Sequence, residues 1–150
     1  VGAFWTELLV LRRRGVLPRE AELMSRLGRR YGRGLQLVNI VRDVERDAER
    51  GIRFLPLNDD RQARLLQARS HLLAGLLYTS HLPVWQWRVR IATLLPAALG
   101  LATIRDLQAR AGTAPVAPIK ISKPRLLLTL ATCLALSLFP RGPLLLARQR

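Results

Sequence analysis

Apolar residues recur along this chain at the spacing of helices, and strand-like alternation is scarce. Phe4–Arg13 reads as the end of a helix, and Gly15-Val16-Leu17-Pro18 breaks it, with Pro18 suited to a helix start. A long helical pattern follows from about Arg19 to Arg50, and Gly51 is a natural stop. Gly28, Gly32 and Gly34 lie inside it; glycine costs about 1 kcal/mol in a helix interior, so three of them predict close backbone packing or a local break. A turn at residues 54–59 leads into a helix from about Asp60 to Ser80, with Asn58 or Asp59 as its cap. Leu65, Leu66, Leu72, Leu73, Leu76 and Leu77 recur along it. After Pro83 a further helix runs from Trp85 to Leu107, bent or interrupted at Pro96 and Gly100. Residues 112–118 form a loop, and Pro124 opens a last apolar helix reaching about Phe139. The pattern is that of an all-α protein with no internal repeat.

The run 126–139 is shorter than the roughly 20 apolar residues a membrane span needs. A buried core helix is the first expectation for it. An interfacial helix, with Arg125, Arg141, Arg148 and Arg150 nearby, is the second.

Composition narrows the class. The chain has 150 residues, 49% of them hydrophobic, enough to build a core and too many for a disordered tail. The one cysteine, Cys133, excludes an internal disulfide framework and a multi-cysteine zinc site, and fits a reducing cytosol. The net charge is +15. Residues 1–60 hold 12 basic and 9 acidic side chains, whereas residues 61–150 hold 13 basic and a single acidic one, Asp106. The second part is therefore a basic surface attractive to phosphates or anionic lipids. The arginines are dispersed and carry no helix-turn-helix, zinc-finger or RNA-binding signature, so a nucleic-acid partner is not expected. His71 and His81, ten residues apart, are not a helical metal pair.

Candidate chemistry gathers in one segment. On a helix turning 100° per residue, Gln36, Asn39, Asp43 and Asp47 fall within about 80° of one another. They make a polar stripe on a helix otherwise apolar through Val44, which predicts a buried helix whose carboxylates are paired or bind a cation. From Asn39 to Asp47 the rise is about 12 Å. All the donors are hard oxygens, which favours Mg²⁺ over zinc. The spacing alone also suits a helix laced by salt bridges, with Arg42, Arg46 and Arg50 pairing Glu45, Glu49 and the two aspartates.

The wording of this segment goes further. GLQLVNIVRDVERDAERGIRFLP, residues 34–56, closely resembles the second aspartate-rich motif of the squalene/phytoene synthase family. VGAFWTELL, residues 1–9, resembles the stretch that precedes that motif in squalene-type members. The resemblance is strong over residues 1–60 and continues in order through Leu95-Pro96, Gly100-Leu-Ala-Thr and Ile119-Lys120-Ile121-Ser122.

The resemblance implies an all-α, isoprenoid-synthase-type helical bundle that condenses two prenyl diphosphates head to head. It implies Asn39, Asp43 and Asp47 as Mg²⁺ ligands, Gln36 lining the cavity and Arg42 supporting the diphosphate site. Tyr31, Trp5 and Phe4 are candidates to face a carbocation, though each also suits plain packing. The usual Gly-Arg-x-Tyr-Leu-Pro reads Gly51-Ile-Arg53-Phe54-Leu-Pro56, so Arg53 stands one position on from the expected arginine. Squalene-like wording favours farnesyl diphosphate as substrate. Phytoene-type condensation of geranylgeranyl diphosphate and a non-catalytic remnant that binds lipid or a partner are the alternatives. Pro118-Ile-Lys120-Ile-Ser-Lys123 resembles a stretch near an NADPH site, which makes Lys120 a candidate for a cofactor phosphate or a solvated loop lysine. The family's first aspartate-rich motif would lie upstream of Val1, so the expectation is a single partial domain, the C-terminal half of such an enzyme. It would sit in the cytoplasm, in peripheral contact with a membrane.

Overall fold

The computed structural model describes residues 18–52, 54, 60–110 and 121–148, with the side chains of Pro18, Arg19 and Arg148 excepted. Among these residues there are four α-helices in order: α1 Pro18–Glu49, α2 Arg61–His81, α3 Trp87–Ala109 and α4 Lys123–Ser137. Short 3-10 turns, Val84–Gln86 and Gly142–Arg148, follow α2 and α4. There is no strand among the described residues.

α1 is one unbroken helix, so its glycines make no break, and Gly34 serves close packing. A Cβ on Gly34 would lie 2.8 Å from the Cβ of His71 and 3.0 Å from the backbone nitrogen of Leu72, so α1 and α2 touch backbone to backbone there. One turn earlier the ring of Tyr31 lies directly over Gly75 of α2, where no side chain would fit. Gly51, at φ 75°, ends the helix as expected. The cap of α2 is Asp60, a residue later than expected. Its Oδ1 accepts from the backbone N–H groups of Gln62 and Ala63 at 2.8 and 3.2 Å.

The core lies where α1, α2 and α3 meet. Val38 and Val41 from α1, Leu65, Leu72 and Leu76 from α2, and Leu94, Leu101 and Ile104 from α3 are buried together. α3 runs continuously through Pro96, which the sequence made a bend or interruption. Proline removes one N–H from the ladder. The Tyr31 hydroxyl enters the same stretch: it donates to the carbonyl of Thr93 at 2.6 Å and is hydrogen-bonded to the Ala97 backbone. Burial pushes the phenol well above its usual range.

One cation organises the end of the bundle. Arg90 of α3 is fully buried among apolar neighbours. Its guanidinium donates to Thr79 and Leu82 at the end of α2, and to Ser137, Phe139 and Pro140 at the end of α4. The last carbonyls of a helix lack intrahelical partners and carry the negative end of its dipole. A single arginine thus closes two helices that are far apart in sequence. Burial alone lowers the pKa of Arg90 from its ordinary value.

The expectation of a buried C-terminal core helix is corrected. Only Cys133 and Ser137 of α4 are buried, while Leu127 and Leu128 are 65% and 68% exposed. The apolar run has leucines on nearly every side, and the bundle covers one side only. α3 with its preceding turn is long and apolar enough to cross a membrane, but it supplies much of the core just described.

Candidate functional site: a carboxylate and amide row on α1

α1 buries Leu27, Tyr31, Gly34, Val38 and Val41 against α2 and α3. Gln36, Asn39, Asp43 and Asp47 project on the opposite side, since their helical azimuths lie roughly 180° from that seam. Gln36 and Asn39 are exposed, and Asp43 and Asp47 are partly covered. The structure therefore keeps the four predicted polar residues on one face but does not bury it. The apolar seam of the helix takes the interior, and the row looks out from the bundle.

Asp43 sits at the centre of the charges. The Nε and one terminal nitrogen of Arg42 donate to its two oxygens at 3.0 and 2.8 Å. Arg46, one turn on, lies 3.0 Å from the same carboxylate. The hydrogen bonds from Arg42 hold the Asp43 carboxyl below its ordinary range, with the charge of Arg46 adding to the effect. Arg42 is raised in turn by that bond. Glu45 lies 3.5 Å from Arg61 and ties the end of α1 to the start of α2. Salt bridges are thus present on this helix, as the spacing alone allowed. Among the described residues they engage Asp43 and Glu45 and not Asp47.

The donor chemistry fits part of an Mg²⁺ shell: two carboxylates and an amide oxygen along one accessible helix face. Mg²⁺ takes six oxygens and usually keeps waters and substrate phosphates among them. Among the described residues no group of three or more acidic, histidine or cysteine side chains is placed to hold a metal. The row can supply some ligands of a shared site but does not close one.

The other predicted residues separate. Tyr31 is 8% exposed, on the core side of α1, and its hydroxyl is engaged by α3, so its ring does not share the face of Asp43. Tyr31 is thus packed between α1 and α3, on a different face of α1 from Asp43. Arg53, Lys120, Phe4 and Trp5 lie outside the described residues. Sequence reasoning passed over Arg29 and Arg33. Both are exposed; Arg29 falls at the azimuth of Asp47 and Arg33 about 40° beyond it, so cations flank the row on the N-terminal side. The same four-residue spacing that revealed Asp43 and Asp47 carried that signal.

Among the described residues there are four α-helices, no strand, and an outward row of oxygen donors flanked by arginines. The family model described as squalene/phytoene synthase matches residues 1–66, which takes in the whole of this row. The match is confined to that segment, and the all-helical architecture of the described residues agrees with the fold that such a resemblance implies. No curated protein and no solved structure matches the chain.

Proposed function

We propose that this chain carries the second diphosphate-binding half-site of an Mg²⁺-dependent prenyltransferase that joins two farnesyl diphosphates head to head toward squalene or a related precursor. The observation that supports the reading most is the coincidence of the family match with an accessible row of Asn39, Asp43 and Asp47. These three residues would hold Mg²⁺, which when bound supplies charge neutralisation of a leaving diphosphate. Arg42 and Arg46 already hold Asp43, so they stand where a diphosphate sharing that site would meet them. Arg33, up the same face, extends the cationic reach to a second anionic group. Catalysis also requires an apolar enclosure that keeps water from the ionised allyl group. The outward row needs an opposing surface to provide it. Contact with a membrane belongs to the same reading, since the product is a hydrocarbon.

A remnant that keeps the fold without catalysis is the second reading, favoured by the absence of a closed ligand set among the described residues. Titration calorimetry of the chain with an unreactive farnesyl diphosphate analogue separates the two. Binding that requires Mg²⁺ supports the half-site. A folded chain that binds nothing, with or without Mg²⁺, supports the remnant.

A further inference from the structure

α4 turns an entirely apolar arc outward. Leu127, Leu128, Leu134, Leu138 and Phe139 are all exposed, and no polar side chain falls between them on the helix projection, where Ala131 and Ala135 fill the gaps. An ordinary surface helix carries its polar residues on that side. The arc spans about 18 Å.

The five hydrogen bonds of Arg90 determine what lies beside it. They join the end of α2 to the end of α4, and so bring the turn at Val84–Gln86 to the same end of the bundle as Phe139. Trp85 there is 71% exposed, and Trp87 is also exposed, with the Arg88 guanidinium 5.3 Å from its ring centre. Arg141 completes the cluster, on the rim of an open apolar hollow formed with Phe139, Pro140 and Leu145. Tryptophan and arginine concentrate at the boundary between lipid and water, where each has one apolar and one wet side. Lys123 and Arg125 mark the other end of the arc.

From this juxtaposition we infer that α4 and the Trp85–Trp87 turn form one face that lies in the interfacial layer of an anionic phospholipid membrane. The apolar arc enters the acyl boundary, and the arginines at its ends meet lipid phosphates. A second copy of the chain fits less well. Residues 61–150 carry 13 basic and one acidic side chain, so two such faces would repel each other while lipid phosphates attract both. The inference gives a surface and a lipid class to the membrane contact in the proposed function, and does not depend on the prenyl diphosphate site.

Co-sedimentation of the chain with vesicles tests it. The chain is expected to pellet with an equimolar mixture of phosphatidylcholine and phosphatidylglycerol, and less with phosphatidylcholine alone. The double substitution Leu127→Ser with Leu128→Ser lowers partition roughly tenfold or more, because these side chains leave water only in lipid. Both residues are exposed, so helicity by circular dichroism stays as in the parent. Arg141→Glu weakens binding to the mixed vesicles and leaves the neutral ones unaffected. Failure of the parent chain to pellet with either vesicle overturns the inference, as does equal partition of parent and double variant. A dimer in sedimentation velocity that the double substitution dissolves also overturns it, in favour of a second copy. Binding of the farnesyl diphosphate analogue, measured on the same double variant, is expected to be unchanged, so the two readings fail separately.

Discussion

Arg90 shows what one side chain contributes here and why the sequence hides it. An arginine between Val89 and Ile91 in an apolar helix must be satisfied somewhere. Its acceptors lie 8 to 11 residues back and 47 to 50 residues ahead, so no local pattern reveals them. Replacing Arg90 with Met leaves the ends of two helices without their donor. Chemical denaturation is expected to show a loss of about 3 kcal/mol or more. Arg90→Lys recovers part of this, because one ammonium cannot span both ends as a guanidinium does. His71 carries a smaller penalty. Its Nδ1 is buried without a hydrogen-bond partner among the described residues, and burial first, then the charges of Arg30 and Arg33, lowers its pKa. The folded chain thus binds this proton less readily than the unfolded one. Stability is full above the ordinary imidazole range and falls as pH drops through that range toward the lowered value. His71→Gln should flatten that part of the pH profile of unfolding.

The helices were largely legible, because a 3.6-residue period and punctuation by Pro18, Gly51, Pro83 and Pro124 are local signals. Caps were less so: three adjacent residues, Asn58, Asp59 and Asp60, can all cap, and the side chain of Asp60 is the one that accepts from the first turn of α2 among the described residues. Asp60→Ala is expected to cost about 1 kcal/mol of stability, read by thermal or urea unfolding. At Pro96 the local rule of helix breaking did not hold, and α3 runs on through it. Tyr31 donates to Thr93, next to the Ala92 carbonyl that Pro96 leaves without its helical donor, so a contact from α1 falls on this stretch of α3. The role of α4 could not be read at all from its apolarity. A leucine-rich helix looks the same in sequence whether the bundle covers it or leaves it exposed.

At the scale of the whole molecule, the row on α1 was visible because i, i+4 spacing is a property of the helix alone. Its exposure was not, because that depends on which face α2 and α3 occupy. Leu27, Tyr31, Val38 and Val41 take the interior, and Asn39, Asp43 and Asp47 are left facing outward. An outward row of partly paired carboxylates is a surface that can receive cation and anion together, provided another surface closes over it. The central claim is that this row, and not the arginines alone, binds the diphosphate through Mg²⁺. The measurement that tests it most directly compares Asp43→Asn and Asp47→Asn with the parent chain, by Mg²⁺-dependent affinity for the farnesyl diphosphate analogue, each beside its thermal midpoint. The account predicts that each substitution weakens Mg²⁺-dependent binding roughly tenfold or more while the midpoint stays near that of the parent, since both side chains lie outside the core. Mg²⁺-dependent binding of undiminished affinity in both variants would contradict it.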